Sequence, residues 1–269
     1  MSTPIEVEDV APWVERLARV GYTAKAVLYI TVGLVAARAA FGPGRTIDTQ
    51  GALELVHGLT FGRLMLLVVA VGLVGYAIWR VVEAVVDPNR RGHGPKGLAL
   101  RASFAARGLF HGALGIAAFR LATGGRSAQT QDRAKDWTAF ALDLPGGELL
   151  VWLTALGIAG YGLYQLYRAY VSKLSRQLNL VELDNGTRRW VVGVSRFGIA
   201  ARGVVFCLIA LFLGRAAAQH DASQVGGLRE SLAMLERMGY WPFAIVAVGL
   251  IAYGVYELVN ARYRRIRVT

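Results

Sequence analysis

The chain has 269 residues, 55% of them apolar, a mean hydropathy of +0.41 and a formal net charge of +12. The apolar residues gather in six stretches nearly free of charge, which points away from a soluble domain, and the basic residues cluster beside those stretches, which argues against a nucleic-acid reader with its basic folded face. The single cysteine, Cys207, excludes a disulfide framework or a thiolate metal cluster.

In chain order, Met1 to Val10 is acidic and polar, and no removable signal peptide is expected there. The six apolar stretches fall near 20–40, 64–86, 104–122, 149–170, 198–218 and 241–260. Each is long enough to cross the hydrocarbon core, which takes about 20 residues of helix. Trp13 and Tyr22 flank the first as expected interfacial anchors. Gly42-Pro43-Gly44 ends it, and a short amphipathic helix capped by Asp48 or Thr49 runs to His57. Matching places at Asp136–Leu142 and Gly226–Met238 are expected to lie on the same face, as lids or as plain connections.

One two-span unit is written three times. Arg19-x-Gly21-x-x-x-Lys25 aligns with Arg101-x-Ser103-x-x-x-Arg107 and Arg196-x-Gly198-x-x-x-Arg202, and each first span ends on an arginine, Arg38, Arg120 or Arg215. The second spans share Gly72-x-x-Gly75-Tyr76, Gly157-x-x-Gly160-Tyr161 and Gly249-x-x-Ala252-Tyr253. Beyond these tyrosines the units diverge in charge, with Arg80 and Glu83, Gln165 and Arg168, and Glu257 and Asn260 at matching positions. The repeat boundaries are expected at 13–87, 99–172 and 194–262. A repeated supersecondary unit shares one core with its copies. Two spans per unit make successive units parallel, so the expected fold is an all-α membrane protein of six helices, three tandem two-helix repeats in a pseudo-threefold arrangement. The glycine-tyrosine runs are expected to pack helices, since lipid offers no hydrophobic drive and close backbone approach must hold them.

The excess of lysine and arginine falls on the face holding the N-terminus, the 87–101 and 172–197 loops and the C-terminus, which places both termini in the cytoplasm. The repeated Arg-x-Gly-x-x-x-Lys/Arg and Gly-x-x-Gly/Ala-Tyr elements, from Trp13 to Arg262, resemble the bacterial family known as domain of unknown function 1206. Ser103 and Ala252 depart from the glycines of the pattern. The resemblance implies three two-helix repeats in a bacterial cytoplasmic membrane, and it implies no activity.

Lys25, Arg107 and Arg202 are the sharpest candidates for a site, with Arg19, Arg101 and Arg196 two turns before them. Ionisable groups within spans are costly and are therefore paired, snorkelling or functional. In the functional reading the cations bind lipid phosphates or a small anion. In the structural one they snorkel or pair, Lys25 with Glu83 and Arg202 with Glu257, while Arg107 lacks an obvious carboxylate in its own unit and is the best of the three candidates for an external ligand. His57, His93, His111 and His220 show no metal-ligand spacing, so no metal or cofactor is expected. No phosphate-cradling loop, nucleophile elbow or paired catalytic carboxylate is present, and the expected protein is not an enzyme. It binds membrane lipids, anionic ones included, or a membrane partner that could be a second copy. The alternative is a small channel or carrier for anions along the repeat axis.

Overall fold

The computed structural model describes residues 11–41, 46–47, 49–58, 60–86, 94–125, 130–171, 174, 178, 180 and 183–263. The expectations for Met1–Val10, Gly42-Pro43-Gly44, Asp48, His93 and the Trp13 side chain lie outside the described residues. Helices α1 (Ala11–Phe41), α3 (Gly62–Val85), α4 (Pro95–Ala122), α6 (Gly147–Val171), α7 (Asn185–Ala218) and α9 (Tyr240–Tyr263) are long and apolar enough to cross a membrane. The shorter α2 (Thr49–His57), α5 (Thr130–Leu142) and α8 (Leu228–Met238) join the two spans of each unit, as the amphipathic segments predict.

Local chemistry explains where the helices begin and end. Gly94 is extended and Pro95 occupies the first turn of α4, where its missing N–H costs nothing. Gly124, with φ of +86°, lets the chain leave the end of α4, and Gly125 returns its N–H to the Arg120 carbonyl at 2.8 Å. The Asp184 side chain accepts from the backbone N–H groups of Gly186 and Thr187 at 2.9 and 3.0 Å and so caps α7. Hydrogen bonds from Thr187 and the neighbouring backbone hold its carboxyl below the usual carboxylate range. A carboxyl depressed in the folded state supports the helix above its unfolded value and loses that support as pH falls through the depressed one. Asp184→Ala is therefore expected to speed amide exchange at the start of α7 at neutral pH, with the wild type approaching the variant on acidification. Hydrogen-exchange mass spectrometry checks both.

The spans contact one another in the order α4, α3, α1, α9, α7, α6. Contacts between successive units are the most extensive and repeat closely: α3 on α4, α6 on α7, and α9 on α1. Each rests on small residues at matching positions, Ala77 against Gly108, Gly162 against Gly203, and Gly254 against Ala26. A Cβ built at Gly108 would lie 3.1 Å from the Ala77 carbonyl oxygen. At Gly162 it would lie 3.0 Å from that of Gly203, and at Gly254 3.0 Å from that of Ala26. Backbones this close maximise van der Waals contact where no solvent effect drives association.

Contacts within units repeat only in the first and third. In the first, a Cβ at Gly21 would meet Tyr76 Cβ at 2.5 Å and the Gly72 carbonyl oxygen at 2.6 Å. In the third, one at Gly198 would overlap the backbone of Ala252 and Tyr253, and one at Gly249 would overlap Ala201 Cβ. Gly75 and Ala252 are buried within the same seams. The second unit differs: α4 and α6 share no extensive contact, and a Cβ at Gly157 or Gly160 would meet nothing within 4 Å. The packing role expected of these two glycines is corrected accordingly. The helices of this unit lean on their flanking neighbours, α3 and α7, and stand apart from each other.

Outward-facing leucine and isoleucine at Leu64, Leu109, Leu156 and Ile245 suit a lipid surface. Tyr22, expected at the interface, is instead 1% exposed and packs edge-on against Tyr76 at 5.5 Å between centroids. Burying that ring in the glycine-opened seam satisfies it better than an interfacial position would.

Candidate functional site

Each repeated cation lies over the ring of its own unit's repeated tyrosine. The distances to the ring centroid are 4.6 Å for Lys25 and Tyr76, 5.3 Å for Arg107 and Tyr161, and 4.9 Å for Arg202 and Tyr253. Out of water, the negative face of an aromatic ring is a worthwhile partner for a cation. One turn beyond the cations stand Tyr29, His111 and Phe206, at matching positions. They pack edge-on against Tyr253, Tyr76 and Tyr161 of the neighbouring unit at 4.7, 4.9 and 4.9 Å. A belt of cations and aromatic rings thus links the units at one level. His111 also donates through Nδ1 to the Arg107 carbonyl oxygen at 2.8 Å and is buried among its neighbours.

The charge balance of the belt is set by Arg80, Gln165 and Glu257, one turn past the tyrosines. Lys25 Nζ lies 2.6 Å from Glu257 Oε1, both buried. Glu83 pairs with Arg80, whose Nε donates to the Tyr76 hydroxyl at 2.8 Å. The carboxylates are therefore exchanged relative to the expected pairs: Lys25 takes Glu257 in place of Glu83, and Arg202 takes tyrosines in place of Glu257. Close packing of α9 on α1 puts Glu257 nearer to Lys25 than to the cation of its own unit. Arg202 donates through Nε to Tyr29 at 3.1 Å and through Nη1 to Tyr161 at 3.2 Å. Tyr161 and Tyr29 thus bond across unit boundaries, and Tyr76 bonds within its own unit.

Two of the flanking arginines proposed as ligand contacts serve the backbone. Arg19 Nη1 donates to the carbonyl oxygens of Ala261 and Arg262 at 2.6 and 2.7 Å. Arg101 donates through Nε to Ala84 at 2.6 Å and through Nη2 to Val85 at 3.0 Å. Unpaired carbonyls and negative partial charge at a helix C-terminus favour such cations. Arg196 occupies the matching place on the exposed face of α7.

Arg107 is placed differently. Its Nε and Nη2 donate to the carbonyl and hydroxyl oxygens of Ser103 at 3.0 and 2.9 Å, on its own helix. Among the described residues no carboxylate lies within ion-pairing distance of it. The position that would hold its counter-charge is occupied by Arg80, and the two guanidinium groups share the Phe104 ring at 5.1 and 5.4 Å. Arg107 lines a cavity of about 770 Å3 between α4, α6 and α7, with Phe110, Leu114, Ile158, Tyr161 and Ile209 among its walls. Thr49, Thr138 and the 225–228 turn close one end. Exposed Ala106, Phe110, Ala113, Thr154 and Gly157 mark where the cavity opens sideways between α4 and α6.

Six apolar helices, small-residue seams and a buried cation-aromatic belt define an all-α, multi-pass membrane protein made of three two-helix units. The chain belongs to the DUF1206 family, Domain of Unknown Function, whose model matches it three times, at residues 20–87, 102–172 and 197–264. It is similar to the uncharacterized protein YxxB of Bacillus subtilis (strain 168), 28% identical over 259 residues that make up 96% of this chain and 94% of that one. No solved structure matches it.

Proposed function

We propose that this is a non-enzymatic protein of the bacterial cytoplasmic membrane that binds lipid through its helical-repeat core and basic cytoplasmic face, with both termini in the cytoplasm. The observation that carries the reading is the apolar cavity opening sideways between α4 and α6, within spans that would lie in the hydrocarbon region. A cleft open to lipid suits a ligand that arrives from the bilayer. An axial anion path is less well supported, because Lys25 and Arg202, which would line it, are buried against Glu257 and tyrosine hydroxyls.

Native mass spectrometry of protein taken gently from the membrane tests the reading, with co-purified lipid as the expected result. A chain that retains no lipid, yet carries anions across reconstituted liposomes faster than protein-free controls, would reverse it in favour of transport. Orientation has its own test. A fluorescent protein fused after Thr269 is expected to fold and fluoresce, as it does only on the cytoplasmic side, whereas a periplasmic phosphatase reporter at the same point stays inactive.

A further inference from the structure

We propose that the cleft between α4 and α6 is a binding site for a membrane amphiphile bearing one acidic headgroup, carboxylate or phosphate, on a long alkyl chain. The headgroup rests on Arg107, and the chain lies along Phe110, Leu114, Ile158 and Ile209. This assignment rests on the lipid-binding reading and names its site and chemistry.

The charge of the site follows from comparing the three units. The first unit's cation has Glu257, and the third unit's cation has two tyrosine hydroxyls. The second unit's cation faces Arg80, which is itself neutralised by Glu83. One positive charge is thus left without a carboxylate among the described residues, where Ser103 alone accepts hydrogen bonds from it and the Phe104 and Tyr161 rings lie against it. A guanidinium carries five N–H donors in a planar fork that matches a carboxylate or phosphate. A cation without a counter-charge in a span is costly, and an anionic headgroup supplies that charge, its charge-assisted hydrogen bonds offsetting the loss of headgroup water.

The shape follows from the same comparison. In the first and third units the glycine-tyrosine run fills the seam between the two spans. In the second, Gly157 and Gly160 face open space and α4 stands away from α6, so the place of that seam is the cavity. About 770 Å3 falls within the usual range of ligand sites, roughly 300–1,000 Å3. Its walls are chiefly apolar, with Arg107, Tyr161 and Arg202 gathered at the belt level. An alkyl chain therefore fits the walls and an acid fits the floor.

The test is native mass spectrometry of delipidated protein titrated separately with oleate, dioleoyl phosphatidylglycerol, methyl oleate and inorganic phosphate. We expect one molecule of oleate or of the phospholipid to bind, and the preferred one distinguishes a free fatty acid from a lipid headgroup. Methyl oleate, lacking the charge, and phosphate, lacking the chain, should bind at least tenfold more weakly. Arg107→Gln should weaken the preferred ligand at least tenfold and Arg107→Lys should restore part of that loss. Gly157→Leu, whose Cβ would meet no atom within 4 Å at the cleft, should also weaken it at least tenfold. Unchanged melting temperature and elution volume establish that these variants are folded. Lipid retained equally by wild type, Arg107→Gln and Gly157→Leu would overturn the site and leave the lipid-binding reading standing. Equal binding of methyl oleate or of phosphate alone would overturn the assigned chemistry. No binding of any probe would overturn both the site and the reading beneath it.

Discussion

Glu257→Ala is expected to cause the largest loss of stability of any single polar substitution in this chain. The carboxylate is 2% exposed and lies 2.6 Å from Lys25 Nζ, which is almost equally buried. Removing it leaves an ammonium group inside a low-dielectric core, with the Tyr76 hydroxyl at 3.5 Å and aromatic faces as its surroundings. Breaking one member of a buried ion pair typically costs about 3–5 kcal/mol. Thermal unfolding in a mild detergent, followed by size-exclusion chromatography or intrinsic fluorescence, measures it. The double variant Lys25→Met with Glu257→Gln should be markedly less damaging than Glu257→Ala alone, because no unpaired charge remains. A double variant as unstable as the single would show that packing, and not the stranded ammonium, sets the cost.

A comparable effect is expected from Gly198→Leu. The Cβ of any residue at 198 would overlap the backbone of Tyr253, which cannot turn aside as a long side chain can, so α7 and α9 must separate. Overpacking typically costs about 1–3 kcal/mol. Separation here also draws Arg202 off the Tyr253 ring, which it overlies at 4.9 Å, and should place the loss at the upper end. Gly157→Leu is the control. It changes the same kind of residue in a repeated motif, yet a Cβ there meets no atom within 4 Å, and the melting temperature should stay where it was. Equal destabilisation by both would mean that α4 and α6 pack together in solution.

Much of this architecture is legible in the residues. Spans, lids and the level of the cations follow from hydropathy and from the threefold register, because membrane thickness ties position along a span to depth. What register cannot supply is azimuth. Lys25, Glu83, Arg202 and Glu257 lie at similar depths, so depth permits either exchange of partners, and the close packing of α9 on α1 selects one. A usable signal for that packing stood beside the named residues. The residue after each cation, Ala26, Gly108 or Gly203, and the residue after each tyrosine, Ala77, Gly162 or Gly254, is small in all three units, and these six residues form the contacts between units. The open second unit was harder to read. Gly157-x-x-Gly160-Tyr161 carries the same pattern as the packed copies, and a motif describes one surface without stating whether another meets it. Ser103 in place of glycine, and Gln165 and Arg168 where each other unit carries a carboxylate, are the visible differences. In the structure Ser103 supports Arg107, and the want of an obvious carboxylate for Arg107 in its own unit marks it for an external ligand.

The separation of α4 from α6 also changes where the molecule divides. The sequence repeats end between α3 and α4 and again between α6 and α7, and these are two of the tightest seams in the protein. The two spans of the middle repeat belong to different close-packed pairs, α4 with α3 and α6 with α7, and the third such pair joins α1 to α9. Lys25 with Glu257 fastens the α1–α9 pair, and Tyr29 with Arg202 ties α1 to α7. The fold is thus a series of three helix pairs that straddle the repeat boundaries, and its opening falls inside a repeat instead of between two.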